Sequence, residues 1–449
     1  MFMDKKQSMD FINGSIVKSI FMFSVPLLIG NLFQQLYNTV DSYVVGNYVG
    51  TQALAAVGAS SPIINMLIGF FMGLATGAGV IIAQFYGAGD DDRLKKSIHS
   101  SAALTLVMSV VFTVLGLLST KPLLHMIAVP EDVFSESTTY LSIYFIGIIF
   151  VFVYNIGTGI LRALGDSKRP LYFLILGCVV NIILDFLFVK YFKMGVAGAG
   201  WATFIAQGLS AILVVYILMK EKGPKQLILK DIKFDMPILK KIIMLGLPTG
   251  IQQSIVSLSN VVVQSYINSF GSSVIAGYSV SIRIDGFINL PIQSFSMAVT
   301  TFVGQNIGAK KHDRVKKGAN ITLLMAVSVV AAMAALLYFF GESFITFFNN
   351  EPDVVEAGRI MQLVFIPGYI LIAVSQILSG VVRGAGKSTA PMLFSVINYV
   401  FLRQAYLFVV TKLTSSVAFV FMGWPVTWTT CTIMFLIYYF KVDWLNNND

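Results

Sequence analysis

Charge is scarce in this chain, and that scarcity excludes more than any motif does. Asp, Glu, Lys and Arg make up only 12% of the 449 residues, about half the share of a soluble domain. Cysteine is nearly absent: Cys178 and Cys431 both fall in apolar stretches, which leaves no disulfide framework and no metal-type spacing. The three histidines, His99, His125 and His312, stand singly at loops or span ends, a placement that disfavours a histidine metal site or a catalytic triad. With no nucleophile or metal constellation, no enzyme and no cofactor are expected. The first apolar stretch is too long for the core of a leader peptide and lacks a small-residue cleavage site, so no removable signal is expected.

Apolar sequence is abundant instead. Hydrophobic residues reach 56% and the mean hydropathy is +0.79. Crossing a bilayer takes about 20 mostly apolar residues. Such stretches recur near 17–41, 53–80, 97–119, 138–161, 171–189 and 196–219, then near 242–268, 274–303, 318–341, 359–380, 391–411 and 415–440. The reading is an all-α membrane protein of about twelve spans.

The two halves repeat each other. The loop Gln84, Gly87, Ala88, Arg93, Lys95 and Lys96 returns 221 residues later as Gln305, Gly308, Ala309, Arg314, Lys316 and Lys317. Arg162, Gly165, Ser167 and Pro170 return at the same offset as Arg383, Gly386, Ser388 and Pro391, while Pro26 and Asn38 return as Pro248 and Asn260. Two six-span lobes follow, residues 1–219 and 242–449, joined by a linker at 220–241 that carries seven lysines. Six spans per lobe make the repeat parallel, related by an axis along the membrane normal, and the expected substrate pathway lies between the lobes.

The basic residues set the orientation. Of 31 Lys and Arg, 24 lie at the termini (Lys5, Lys6, Lys18, Lys441) or after even-numbered spans, and only Lys121, Lys190, Lys193, Arg359 and Lys412 follow odd ones. Both termini are therefore expected on the cytoplasmic side of the cell membrane. The net charge of +9 is topological. A nucleic-acid partner would need basic residues gathered on a soluble domain, so none is expected.

Five charges sit well inside spans: Asp41, Asp185, Arg283, Asp285 and Arg403. Each costs at least ~2.5–3.5 kcal/mol on insertion scales, so each should face protein or water and is a functional candidate. A static ion pair between helices is the competing reading. Asn31, Gln34, Gln35, Asn38 and Asp41 follow steps of three and four, one polar stripe on the first span. In the seventh span the stripe returns as Gln253, Ser257, Asn260 and Gln264, but Val263 stands near the place of Asp41. On the fifth span Asn181 precedes Asp185 by one turn, and on the sixth Thr203 and Gln207 form an i,i+4 pair. Asn398 echoes Asn181, while Leu402 takes the place of Asp185. Carboxylates, a carboxamide and a hydroxyl are hard oxygen ligands, suited to an alkali cation or a shared proton. The polar lining is duplicated and the carboxylates are not, which suggests a shared substrate cavity with ion coupling in the first lobe only.

Further cavity candidates are Tyr37, Asn155, its repeat mate Gln376, Arg283 and Asp285. The last two lie two residues apart and so point to different faces. Tyr154, Phe287 and Met297 are candidate apolar contacts, although packing is the commoner use of such residues. Gly69, Gly73 and Gly77, at a spacing of four, read as close helix packing. Pro26 shares a helix with Asp41, which would let a bend in that helix couple to protonation.

Here the chain resembles the multidrug and toxic compound extrusion (MATE) transporters over essentially its whole length. The resemblance is carried by the lobe-opening proline with the Asp41 stripe, by Leu54-Ala55-Ala56-Val57-Gly58, by Ala83-Gln84-Phe85-Tyr86-Gly87-Ala88, and by Leu161-Arg162-Ala163-Leu164-Gly165-Asp166. It implies export of amphipathic, often cationic organic compounds in exchange for inward sodium or protons. It also implies that Asp41, Asn181, Asp185 and Thr203 form the cation site, the sodium site if the ion is sodium. The branch with an essential carboxylate in the seventh or tenth span is not matched. A monomer in the lipid bilayer is expected. The alternative is a lipid-linked oligosaccharide flippase of related architecture. A cavity sized for such a headgroup calls for several inward-facing basic residues, and only Arg283 and Arg403 lie within spans.

Overall fold

A computed structural model describes residues 8–414 and 416–445. Lys5 and Lys6, counted above for orientation, lie outside the described residues. All regular structure among the described residues is helical: twelve long segments and two short 3-10 turns in the linker, Gly223–Lys225 and Leu229–Asp231. They are α1 (Ile16–Tyr48), α2 (Thr51–Ala88), α3 (Asp91–Met126), α4 (Glu131–Ala163), α5 (Lys168–Tyr191) and α6 (Gly195–Lys220). After the linker come α7 (Met236–Asn268), α8 (Ser272–Gly308), α9 (His312–Phe348), α10 (Pro352–Gly384), α11 (Thr389–Leu413) and α12 (Val417–Lys441). Eleven are long and apolar enough to cross a membrane. The other, α8, carries Arg283, Asp285 and a run of hydroxyl and amide residues toward its C-terminus, which lowers its hydropathy without shortening it.

The helices outrun the apolar windows at their ends, and this corrects two placements. Gln84, Gly87 and Ala88 are not in a loop but form the last turn of α2; only Gly89 and Asp90 separate it from α3. Gly89 takes a left-handed backbone, φ 66°, that ends the helix, and the Asp90 carboxylate accepts from Arg93 N to start the next. Arg162 likewise lies in the last turn of α4.

Backbone conformation repeats with the sequence. Gly50 (φ 127°) and Gly271 (φ 91°) open α2 and α8, and Gly165 (φ 89°) and Gly386 (φ 88°) precede α5 and α11, each pair 221 apart. Gly89 has its counterpart in Lys310, which holds a positive φ of 57° without being glycine. The fifth and eleventh spans share another irregularity: wide π turns at Phe186–Tyr191 and Val396–Leu402.

Compactness divides the chain into two units. Of the described residues, the first holds those up to Asp10 together with Val25–Gly250; the second holds Phe11–Ser24 with those from Ile251 onward. The division therefore cuts α1 and α7 close to Pro26 and Pro248. In the first unit Phe71 stacks on Phe152 with Phe112 edge-on. There α2 meets the first half of α7 backbone to backbone. A Cβ on Gly73 would lie 2.1 Å from Gly250 N, and one on Gly77 2.4 Å from Gly246 N, so these glycines serve close packing as their spacing predicted. The linker is fastened to α3 of the same unit. His99 Nε2 accepts from Ile228 N at 3.1 Å, Ser100 Oγ accepts from Asp235 N at 2.9 Å, and Lys95 pairs with Asp231 at 2.7 Å. Lys95 holds the Asp231 carboxyl below the usual carboxylate range, chiefly through that hydrogen bond.

In the second unit Phe11 is fully buried, edge-on to Phe23 and Phe302. Its carbonyl accepts from Asn306 Nδ2 at 3.1 Å and Arg314 Nε at 3.0 Å. The core continues through Phe365, Tyr369, Trp424 and Trp428.

Candidate functional site

The polar stripe of α1 divides along its length. Gln34 and Tyr37 are half-buried and Asp41 is buried at 7% exposure, while Gln35 and Asn38 stand exposed one residue round the helix. The inward edge meets α5 and α6 within the first unit. Asn181 and Asp185 on α5 have no exposed surface, and Thr203 on α6 is buried. Tyr37 Oη and Thr203 Oγ1 share a hydrogen bond of 3.0 Å. Asp41 and Asp185 stand within electrostatic reach of each other. Asp185 is the last residue before the π turn of α5, the kind of helix irregularity that is frequent at functional sites.

The donor and acceptor inventory of this cluster is incomplete. Asp41 Oδ1, both carboxylate oxygens of Asp185, and both Oδ1 and Nδ2 of Asn181 have no hydrogen-bond partner. Buried polar atoms are nearly always paired, and ionised carboxylates held away from water are costly unless a cation or a proton neutralises them. One turn farther along, Val44, Val45, Val57, Val189 and Val196 pack with Tyr140 into an apolar plug. It keeps water from that side and strengthens every charge interaction within. The cluster can thus hold a small hard cation among oxygens or share a proton between two carboxyls. Among the described residues no three His, Cys, Asp or Glu gather, and the oxygen-rich donor set suits an alkali ion better than a transition metal.

Two members escaped the sequence reading. Tyr140 and Tyr144 are an i,i+4 pair on α4: Tyr144 acts electrostatically on Tyr37, and Tyr140 feels Tyr37, Asp41 and Asp185. Their spacing was the available signal, but tyrosines at helical spacing are far more often packing.

Beside the cluster a small cleft is lined by Gln34, Tyr37, Tyr154, Cys178 and Gln207. Tyr37 belongs to both. It was expected only in the substrate cavity, yet its hydroxyl sits on Thr203. Asn155 spends its amide on its own helix, to Val151 O at 2.8 Å.

The candidates of the second unit do not gather. Val263 is buried where Asp41 would stand. Asn260 is exposed with Oδ1 3.5 Å from Arg403 Nη1. Gln264 donates to Asn268, and Gln376 is half-buried. Asp285 accepts from Asn289 at 2.9 Å and faces the Tyr369 hydroxyl. Arg283 is exposed and joins none of the ion pairs found among the described residues, as the different faces of these two residues required. Asn398, the echo of Asn181, is satisfied: it accepts from Thr430 and donates to Phe394 O.

The family model MatE matches residues 26–187 and 248–409, once in each half. The probable multidrug resistance protein YpnP of Bacillus subtilis (strain 168) is 32% identical over 88% of this chain and 89% of its own. YoeA of the same organism, also described as a probable multidrug resistance protein, is 30% identical over 95% and 94%. Among solved structures, a MOP superfamily transporter from Pyrococcus furiosus aligns with a TM-score of 0.91 and 22% identity, covering 99% of this chain and 100% of that one. Its report describes a binding pocket of reverse polarity.

Proposed function

The chain belongs to the MatE family of multidrug efflux transporters, and from that premise we propose that it exports amphipathic organic cations in exchange for inward sodium or protons. It is a multi-pass membrane protein; we place both termini in the cytoplasm and the site of action in the cell membrane, with one chain as the working unit. The observation that carries the reading is the set of unpaired oxygens on Asp41, Asn181 and Asp185 beside the Tyr37–Thr203 pair.

Entry of a cation neutralises the two carboxylates and completes the vacant oxygen contacts, so the ion stabilises one arrangement of α1 against α5 and α6. Tyr37 joins the cluster to the cleft, which gives the ion a direct handle on the surface that a substrate touches. Ion and cationic substrate then compete for one negative field, and by linkage each weakens the hold on the other. Exchange across the membrane follows when the polar faces of both units are open together, first to one side of the membrane and then to the other. Preference for cations rests on this chain's own carboxylates, since the fold also serves a neighbour described as having reversed pocket polarity.

Efflux from vesicles under separately imposed sodium and pH gradients identifies the ion. Asp41→Asn and Asp185→Asn should each abolish gradient-driven export while insertion and folding persist; normal export by either variant removes that residue from the mechanism. Asp285→Asn should weaken export of cationic dyes more than of neutral analogues. Transport of anionic glycolipid headgroups with none of organic cations would replace this reading with the flippase.

A further inference from the structure

The linker at 220–241 sorts its charges by sign. Its three carboxylates, Glu221, Asp231 and Asp235, are half-buried and spent on the first unit. Glu221 takes Arg169 Nη1 at 2.6 Å, Asp231 takes Lys95 Nζ at 2.7 Å, and Asp235 accepts from Ile238 N at 3.2 Å where α7 starts. Of its seven lysines, Lys225 donates to Tyr86 Oη at 3.2 Å, and Lys220 Nζ stands 5.5 Å from the Tyr216 ring centre. Lys222, Lys230, Lys233, Lys240 and Lys241 are exposed, and no ion pair found among the described residues includes them. Lys233 acts on Asp231 electrostatically, but that carboxylate is already taken by Lys95.

Like charges gathered on one surface repel each other, a cost that an outside layer of opposite sign removes. Both ends of the linker lead to a place where such a layer can lie. On α6, Ile212, Tyr216 and Lys220 follow steps of four and are all exposed. On α7, Met236, Lys240, Ile243, Met244 and Leu247 share one exposed face, while Ile238 and Ile242 are buried on the other. Apolar residues exposed on a span lie against acyl chains, and one helical turn, about 5.4 Å, lifts Lys220 and Lys240 above them toward the headgroups. Between the two ends, Leu229 and Phe234 are exposed beside Lys230 and Lys233. Apolar side chains interspersed with lysines are the pattern of a segment that lies in the interface.

We propose that the linker is a docking surface for anionic phospholipid, with Lys230, Lys233, Lys240 and Lys241 taking the headgroup phosphates and Leu229 and Phe234 seated at the acyl boundary. The contacts to Arg169, Lys95 and Tyr86 hold this surface in shape before lipid arrives, so little ordering is lost on binding. Arg93, Lys95, Lys96 and Arg169 take no part, since each is spent on a carboxylate. Lipid bound here ties the start of α7 to the membrane surface.

The test titrates the full-length protein in detergent with dioleoylphosphatidylglycerol or dioleoylphosphatidylcholine and follows its melting temperature, so the outcome does not depend on export. A lysine near an anionic surface contributes about fivefold to binding. The wild type should therefore respond to the anionic lipid at concentrations roughly tenfold or more below those of the zwitterionic one. Salt at about 0.5 M should narrow that gap. Lys230→Gln, Lys233→Gln, Lys240→Gln and Lys241→Gln combined should close it, and arginine at the same four positions should keep it. Lys240→Gln with Lys241→Gln alone should narrow it, which covers the case in which the fourfold variant does not fold. Lys316→Gln with Lys317→Gln, exposed at the start of α9, should leave it unchanged. An equal response to the two lipids, a gap that survives the four glutamines, or an equal loss in the α9 control overturns the proposal. So does the same rise from soluble glycerol phosphate, which would mark a site for free phosphate instead.

Discussion

At the scale of single residues, rarity decided what could be read. Asp41 and Asp185 stood out because carboxylates inside spans are expensive, and burial with unpaired oxygens is what the folded chain gives them. Tyr140 and Tyr144 did not stand out, because aromatic residues are cheap in a membrane and their neighbours depend on where α4 passes α1. Tyr37 was legible as a cavity contact, but its bond to Thr203 needed two helices to meet. Lys310 illustrates a cost invisible in composition. It holds a left-handed backbone where its repeat mate is Gly89, a conformation that strains any side chain with a Cβ. Lys310→Gly should therefore raise stability by up to about 1 kcal/mol, measured by thermal unfolding in detergent, and a loss of stability would mean that the lysine's own contacts outweigh the strain.

Among the helices, number and order were legible from apolar runs, and ends were not. Apolarity marks the stretch inside the bilayer, whereas Gly89 and Asp90 set where α2 stops and α3 starts. The π turns of α5 and α11 left no sequence trace, because a helix that widens by one residue keeps its composition. The glycine row of α2 was legible because only close packing explains small residues at every fourth place. Gly73→Leu should cost about 3 kcal/mol or more, since its Cβ alone would stand 2.1 Å from a backbone nitrogen. Retention of wild-type thermal stability by that variant would show that α2 and α7 can part.

For the whole molecule, the repeat was the most legible feature, and the recurrence of positive-φ residues at one offset shows that it is a repeat of backbone as well as of sequence. Ion coupling through exchange of accessible faces is the function-level expectation. Single cysteines placed at Asn38 and at Asn260, both exposed, report it. Labelling at both positions should shift together when a sodium or proton gradient or a substrate is applied. Labelling that responds at only one of them, whatever the gradient, would count against alternation of the two units.

The seating of Phe11 has a consequence for biosynthesis. Its partners Phe302, Asn306 and Arg314 lie about 300 residues downstream, so the start of the chain cannot reach its final place until the ninth helix has left the ribosome. At roughly 5–20 residues per second that is a wait of about 15–60 s. Throughout it, Phe11 and the beginning of α1 lack these partners, although Met9 N just upstream can already donate to Gly165 O at 2.8 Å. A chain stalled or cleaved after the first lobe would keep Phe11 without its seat, and the start of its first helix should be cut by protease more readily than that of the finished chain.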